Sequence, residues 1–457
     1  MAEAATTEAV LAHRWKILGV VCLVQFMLMV DDTVVNVALP SIQSSLGFTP
    51  AALPWVVNAY VLAFGGLLVA AGRIGDRVGL VRTFVAGTAL FAVASLACGV
   101  AQEPWQLVAA RFVQGVGSAL TSPTVLGLIT VVFRDPGERG RAFGIWGGVA
   151  VTGGLSGVVL GGLITGLLEW RWVFFINLPV AAVALVLLPL LTRGVAVGGR
   201  SVRIGLAGPV LLTGAVAAAV YGLLGFAEGH SLRALGFLGL ALVLFGLFVL
   251  TEKRGSAPLV PAGLLSSPVR VAALVSGVLA TGALFGVFFT LTLQLQRSLG
   301  FGPVLAGLAY VPFAVGSFVS IRAGASLGQR FGPPRLLLLA TLVVAGGGLL
   351  LAGGVVLGSY WALLPGLIVF GFGISTVLPV TAQLAVAGVP PENAGVAGGL
   401  VTSAQQLGGA VGLAVGGVLL GAAGDRHSLA LGGAVVLALV GAVAALRTRV
   451  VDAPSGA

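Results

Sequence analysis

Charge is what this sequence lacks most. Only 8% of its residues are Asp, Glu, Lys or Arg while 58% are hydrophobic, against roughly 25% charged in a soluble domain. That excludes a soluble globular fold and leaves no soluble domain to carry enzyme chemistry, so no enzymatic activity and no cofactor are expected. Cysteine is almost as scarce. Cys22 and Cys98 each fall inside an apolar run, which gives neither a disulfide framework nor a metal spacing. His13, His230 and His427 are far apart and form no ligand set. The nucleotide-binding pattern G-x-x-x-x-G-K-[ST] is missing, which argues against an ATP-driven pump. The first apolar run is too long, and too closely followed by the next, to read as a cleaved signal peptide.

What the chain has instead is continuous apolar sequence, with a mean hydropathy of +1.11. A membrane β-barrel shows ~10-residue segments of alternating polarity. Here the runs are unbroken and near the ~20 residues that a membrane helix needs. Fourteen spans are predicted, near 15–38, 54–71, 81–101, 106–132, 142–166, 171–191, 205–226, 233–251, 270–293, 304–327, 335–357, 361–386, 397–422 and 429–446. If the pair at 205–226 and 233–251 were instead a re-entrant or peripheral hairpin, twelve spans would result.

The net charge of +10 does not point to nucleic acid, because the basic residues form no single patch. They recur in alternate loops, as the positive-inside rule predicts for membrane topology. One set of loops carries nineteen Arg and Lys, including Arg73, Arg77, Arg82, Arg134, Arg193, Arg200, Arg203 and Arg330; the other carries Arg171, Arg233, Arg297 and Arg426. This distribution predicts both termini in the cytoplasm, in keeping with an even number of spans.

The chain also echoes itself. GRIGDRVGLVR (Gly72 to Arg82) follows the second span, and SLGQRFGPPR (Ser326 to Arg335) follows the tenth. Gly75, Arg77 and Gly79 align with Gly328, Arg330 and Gly332 at one offset of 253 residues. The organisation read from this is a tail at 1–14, a six-helix half at 15–191, a linker with two extra helices at 192–269, a second six-helix half at 270–446 and a tail at 447–457. Internal repeats are usual in secondary transporters, with substrate near the midplane at the repeat interface. Seventy-one glycines conflict with helix propensity, but in a bilayer small residues let helices approach closely. Gly153, Gly154, Gly157, Gly161 and Gly162 make the densest such face, a candidate packing or hinge surface, with Gly408, Gly409, Gly412, Gly416 and Gly417 matching it later.

Against this apolar background, Asp31 and Asp32 are the two acids clearly within a span, and Arg111 lies within another. An ionisable group at membrane depth is by default a functional-site hypothesis. Counting from the external ends of their spans at ~1.5 Å per residue puts Arg111 about 8 Å deep and Asp31 about 10 Å deep. A shared depth makes Asp31 a partner for Arg111, with snorkelling of Arg111 to the surface as the alternative. Asp32 points about 100° away from Asp31 and shares a face with Asn36, a stripe that could touch substrate or water. Burial favours a neutral Asp31 and the nearby Arg111 favours its carboxylate; such opposed pressures suit a group that takes and releases a proton, which makes Asp31 with Arg111 the candidate for proton coupling. Gln25, Asn58, Tyr60, Gln294, Gln296, Tyr310, Gln383, Gln405 and Gln406 are further polar residues within spans, as candidate cavity lining or as interhelical hydrogen-bond partners.

These segments resemble the major facilitator superfamily, in particular its fourteen-helix drug:proton antiporter family. The resemblance rests on VDDTVVNVALP (Val30 to Pro40), GRIGDRVGLVRTF (Gly72 to Phe84), LVAARFVQGVGSAL (Leu107 to Leu120), WRWVFFINLPVA (Trp170 to Ala181) and VPPENAGVAGGLVTSAQQLGGAVG (Val389 to Gly412), in that order. The family's helix 5 signature has a proline where GLSGVVLGG (Gly154 to Gly162) has Val158. The resemblance implies an all-α polytopic membrane fold of two six-helix halves plus two inserted helices. It also implies a gating role for Gly72, Arg73, Gly75, Asp76, Arg77, Gly79 and Arg82, read as a tight loop with Asp76 as a latch; Gln329 stands in its place in the second half. Asp31 matches the signature aspartate. The expected activity is proton-coupled export of lipophilic drugs or antibiotic-like metabolites from a cell membrane. The bilayer, the lipophilic substrate and protons would be the partners, no nucleic acid would be one, and the chain would work as a monomer. An importer or facilitator of a small metabolite, or a non-transporting receptor or scaffold, stays open beside it.

Overall fold

The computed structural model describes residues 2–50, 52–192, 205, 207–227, 230–255, 265–387, 389, 391–423 and 427–450. Of the residues singled out above, Arg193, Arg200, Arg203 and Arg426 lie outside them, as do parts of the 192–269 linker and the 447–457 tail.

Every element among the described residues is helical. The first seven are α1 (Ala2–Leu46), α2 (Trp55–Val78), α3 (Leu80–Val100), α4 (Pro104–Val132), α5 (Pro136–Leu167), α6 (Trp172–Phe175) and α7 (Asn177–Leu191). They are followed by α8 (Ala207–Ala227), α9 (Ser231–Arg254), α10 (Pro268–Leu293), α11 (Pro303–Leu308), α12 (Val311–Phe331), α13 (Pro333–Val356), α14 (Tyr360–Val386), α15 (Pro391–Ala423) and α16 (His427–Val450). Counting α6–α7 and α11–α12 as one crossing each, fourteen helical segments are long and apolar enough to cross a membrane. The pair expected at 205–226 and 233–251 forms two such helices, α8 and α9. In α9 the buried residues are Ala234 and Ala241, so most of its apolar surface faces outward, as a lipid-facing helix would.

Helix starts follow from local chemistry. Pro104, Pro136, Pro268, Pro303 and Pro333 begin their helices, where a missing N–H leaves nothing unsatisfied. Asp135 caps α5 by accepting from the Glu138 N–H at 2.8 Å. Gln106 Oε1 accepts from the Gln102 and Glu103 N–H groups at 2.9 and 3.2 Å, closing the first turn of α4.

The chain divides into two units, Met1–Phe48 with Trp55–Leu206 and Thr49–Pro54 with Ala207–Ala457. In the first, α1 packs on α5 and α7, and α4 on α2 and α3. In the second, α10 packs on α15 and α16, α14 on α12 and α13, and α8 on α9 and α15.

The segment read as a gating loop is not a loop. Gly72, Arg73, Gly75, Asp76 and Arg77 lie on the last turns of α2, and Arg82 on the first turn of α3. Gly79 alone separates the helices, at φ 111° and ψ 135°. The glycines earlier in the motif therefore serve the helix surface: Gly75 is buried, with Thr124 of α4 3.2 Å from where its Cβ would lie. Asp76, Arg77 and Arg82 are exposed. The later echo has the same construction, because Gly332, at φ 71°, is the single residue between α12 and α13. The shared offset of 253 residues thus joins two positive-φ helix breaks.

The glycine face of α5 is a packing surface against α1. A Cβ on Gly153 would meet Met29 Cβ at 2.9 Å, one on Gly157 the Val30 carbonyl at 2.8 Å as well as Thr33, and one on Gly161 the Val34 carbonyl at 2.6 Å. Gly154 has open space around it. In the second unit Gly408 faces Val278 and Gly412 faces Gly282, so α15 meets α10 at backbone distance. Val158 is buried, within the stretch of α5 that contacts α1. Two outcomes follow. Gly157→Leu should cost about 1–3 kcal/mol through forced separation of α1 and α5, read as a lower thermal midpoint in detergent, whereas Gly154→Ala should match the parent. Gly79→Ala and Gly332→Ala should each cost about 1–3 kcal/mol, because that backbone region is strained for any residue with a Cβ.

Candidate functional site

The site is built where α1, α2, α3, α4 and α7 meet. Asp31 of α1 and Arg111 of α4 are both wholly buried. Arg111 Nη1 donates to Asp31 Oδ2 at 2.7 Å. Burial at both ends excludes the snorkelling alternative for Arg111. The depth count for Asp31 needs correction, since α1 continues to Leu46. Asp31 lies about 22 Å from the helix end at ~1.5 Å per residue. The apolar run ends before the helix does, so the expected boundary near 38 marked hydropathy and not the helix terminus.

A buried ion pair is tolerated only if its remaining hydrogen-bonding capacity is met. Gln114, one turn along α4 from Arg111, does most of this, and Arg111 Nη2 is left without a partner among the described residues. Its Nε2 donates to Asp31 Oδ1 at 2.8 Å while its Oε1 accepts from Arg111 Nη1 at 2.7 Å. Asn177, the first residue of α7, donates to the same Oδ1 at 2.8 Å. Ser95 of α3 accepts from Gln114 at 3.2 Å and from Asn177 at 3.0 Å, and its own hydroxyl donates to the Phe174 carbonyl at 2.9 Å. Arg111 Nε donates to the Val56 carbonyl of α2 at 3.0 Å. The Tyr60 ring covers the guanidinium at 4.3 Å from its centroid, and the Tyr60 hydroxyl pairs with Ser118 at 2.9 Å. Gly115 makes that cover reachable: a Cβ there would collide with the Tyr60 carbonyl. Asp31 therefore receives three donated hydrogen bonds, and it needs charge-assisted bonds of this kind to remain ionised away from water.

Asp32 stands outside this network. Its Oδ1 is enclosed and accepts from no group among the described residues, although the residue keeps part of its surface open. Asn36, expected to extend a polar stripe from Asp32, is buried and turns its amide back onto its own helix, 3.4 Å from the Asp32 and Thr33 carbonyls. Gln25 and Asn58 are buried, with Gln25 Oε1 and both Asn58 side-chain polar atoms lacking partners among the described residues.

The remaining candidates belong to the second unit. Tyr310 donates to the Phe288 carbonyl at 3.0 Å and pairs with Thr292 at 2.8 Å, which makes it helix-to-helix glue. Gln294 is buried in the π-helical turn Gln294–Ser298 that ends α10. Gln383 is exposed. Gln405 donates to Thr381 at 3.1 Å.

Gln114, Asn177 and Ser95 were not singled out from the sequence as site residues. Gln114 had a signal, since it sits three residues after Arg111 and so on the same helix face. Asn177 lies in a quoted motif, where an amide in an apolar run is a glue candidate. Ser95 had none, because a lone serine in a membrane helix ordinarily bonds its own backbone.

Known proteins are similar to this sequence over most of its length. A puromycin resistance protein of Streptomyces alboniger is 39% identical over 425 residues, 90% of this chain and 83% of that protein. A tetracenomycin C resistance and export protein of Streptomyces glaucescens is 36% identical over 416 residues, 89% of this chain and 76% of that protein. A cephamycin export protein of Amycolatopsis lactamdurans is 36% identical over 431 residues, 90% of this chain and 84% of that protein. Among solved structures, an auto-inhibited peptide transporter of the POT family superposes with a TM-score of 0.70 at 17% identity over 98% of this chain and 99% of that one, a likeness of fold. The family model of the Major Facilitator Superfamily matches residues 21–413 and, in a second match, 273–456. With fourteen apolar helices, a membrane-depth ion pair and these relatives, the chain belongs to the Major Facilitator Superfamily and is a multi-pass protein of the plasma membrane.

Proposed function

We propose that the protein exports lipophilic, antibiotic-like small molecules by alternating access in exchange for protons. The observation that carries this reading is the juxtaposition on α1 of a fully compensated carboxylate, Asp31, bound to Arg111, and an uncompensated one, Asp32. Charge at membrane depth is expensive. A helix that holds two carboxylates there, one beside a buried guanidinium, has the parts for coupling proton binding to a rearrangement of helices. Protons are then the driving ion and no cofactor is needed. The resistance and export relatives support an outward direction and an antibiotic-like cargo. Few charged side chains at depth favour neutral or weakly charged molecules. The exposure of Asp76, Arg77 and Arg82 at the α2–α3 break supports a role for them in weighting one access state over the other.

The test is transport in proteoliposomes with an imposed pH gradient, using puromycin, tetracenomycin C and a cephamycin as cargo. At least one compound should move against its gradient when protons flow the opposite way, and a protonophore should abolish that movement. Transport indifferent to the pH gradient would instead describe a facilitator, and binding without transport a receptor. Within the site, Arg111→Lys keeps the charge but loses the planar fork that joins Asp31, Gln114 and Val56. Losing one such bond, worth about 1.5–3 kcal/mol, should lower proton-driven transport roughly tenfold or more, read as initial rate.

A further inference from the structure

The proton-coupling reading leaves open which carboxylate takes the proton, and the sequence favours Asp31. We infer that Asp32 is the group that binds and releases the proton, while Asp31 remains the permanent counter-ion of Arg111. The inference rests on the proposed coupling for its purpose, but the protonation assignment is tested separately.

The two neighbours differ in how their oxygens are satisfied. Protonating Asp31 would put a hydrogen on an oxygen already facing donors from Arg111, Gln114 and Asn177. It would also remove the anion that is hydrogen-bonded to Arg111, the costly outcome of breaking such a pair. Asp32 has the opposite balance. Its Oδ1 is enclosed with no donor among the described residues, so no hydrogen bond there supports a negative charge. Its residue keeps an open portion of surface, so a proton has a way in and out.

Among the described residues, the titratable groups around this pair are few, and α3 contributes Cys98, a buried thiol that donates to Gln114 Oε1 at 3.7 Å. From α1 the neighbour is Asp31, from α4 Arg111 and from α2 Tyr60, whose hydroxyl is held by Ser118. The α5 face against this part of α1 consists of Gly153, Gly157 and Gly161. Helix α6 (Trp172–Phe175) has no ionisable side chain, and α7 contributes Asn177. Arg14 and Glu138 pair at 2.7 Å near the other end of α1 and the start of α5.

The step balances simply. A hydronium ion transfers its proton to Asp32 Oδ2, an O–H bond forms from the oxygen lone pair, and water is left. Release to water on the other side of the membrane reverses it. Oδ1 then remains as a carbonyl without a hydrogen-bond donor, and the charge at that position is gone. Asp31 and Arg111 keep theirs throughout.

The experiment is pH-difference infrared spectroscopy of the full-length protein in lipid bilayers, which needs no cargo. An unbonded protonated carboxyl absorbs at the high-frequency edge of the carboxyl carbonyl region, apart from solvated acids. Wild-type protein should show such a titrating band. Asp32→Asn should abolish it, Asp32→Glu should restore one, and Asp31→Asn with Arg111→Gln, which removes both charges of the pair, should retain it. A band that survives Asp32→Asn, or one that disappears with the double variant while Asp32 is intact, would overturn the assignment. In proteoliposomes, Asp32→Asn should lower pH-driven accumulation of puromycin or another transported relative's cargo at least tenfold. Loss of the band in Asp32→Asn with wild-type transport indifferent to pH would keep the protonation site and sink only the coupling reading.

Discussion

An arginine enclosed among membrane helices dictates the arrangement around it. Arg111 is too far from water to be solvated, so its charge must be met by side chains and backbone carbonyls. Asp31 supplies the countercharge, Gln114 bridges the two, and the Val56 carbonyl and Tyr60 ring close other sides. Each comes from a defined helix. The polar contacts thereby fix the register of α1, α2 and α4 against one another, and Asn177 with Ser95 adds α7 and α3. In lipid, where apolar surface gives little reason for one helix pairing over another, such bonds and close packing carry the specificity.

The glycine surface answers a second demand of the same pair. For Asp31 to reach Arg111 without exposing either, α1 must be held tightly from its other side. Gly153, Gly157 and Gly161 let α5 lie against the backbone of α1 between Phe26 and Val34, the stretch that contains both aspartates. A larger residue there would displace the carboxylates as well as the helix. Packing and charge compensation are therefore coupled in one short segment. A change in the charge near Asp32 has a mechanical path into α5.

What the sequence shows about the fold comes from its strongest physical signals. Long apolar runs specify membrane helices because the bilayer fixes their length, and the repeat at Gly79 and Gly332 is visible because a positive-φ break tolerates little but glycine. The pairing of Asp31 with Arg111 is legible because so few acids lie at depth. Less legible are features that depend on three-dimensional partners. The motif Gly72–Arg82 looks like a loop by composition, yet Gly72 and Gly75 lie on a helix surface facing α4. Asn36 looks like an extension of Asp32's polar face, yet it bonds its own backbone. The second-unit tyrosine Tyr310 looks like cavity lining, yet its hydroxyl is spent on Thr292 and Phe288.

The distinction between Asp31 and Asp32 shows why adjacency in sequence says little about chemistry. The two share a helix turn and the same bilayer depth, and their intrinsic acidities are equal. Turning about 100° around the helix gives one a guanidinium and two amides and leaves the other with an unpaired oxygen. A compensated carboxylate is a poor place to store a proton, because protonation forfeits several bonds at once. An uncompensated one gains by accepting it. On the proposed assignment, the geometry of an ion pair defines a site whose working group is the neighbour that the pair leaves unsatisfied, and a cycle built this way binds and releases a proton without dismantling the contacts that hold α1 to α4.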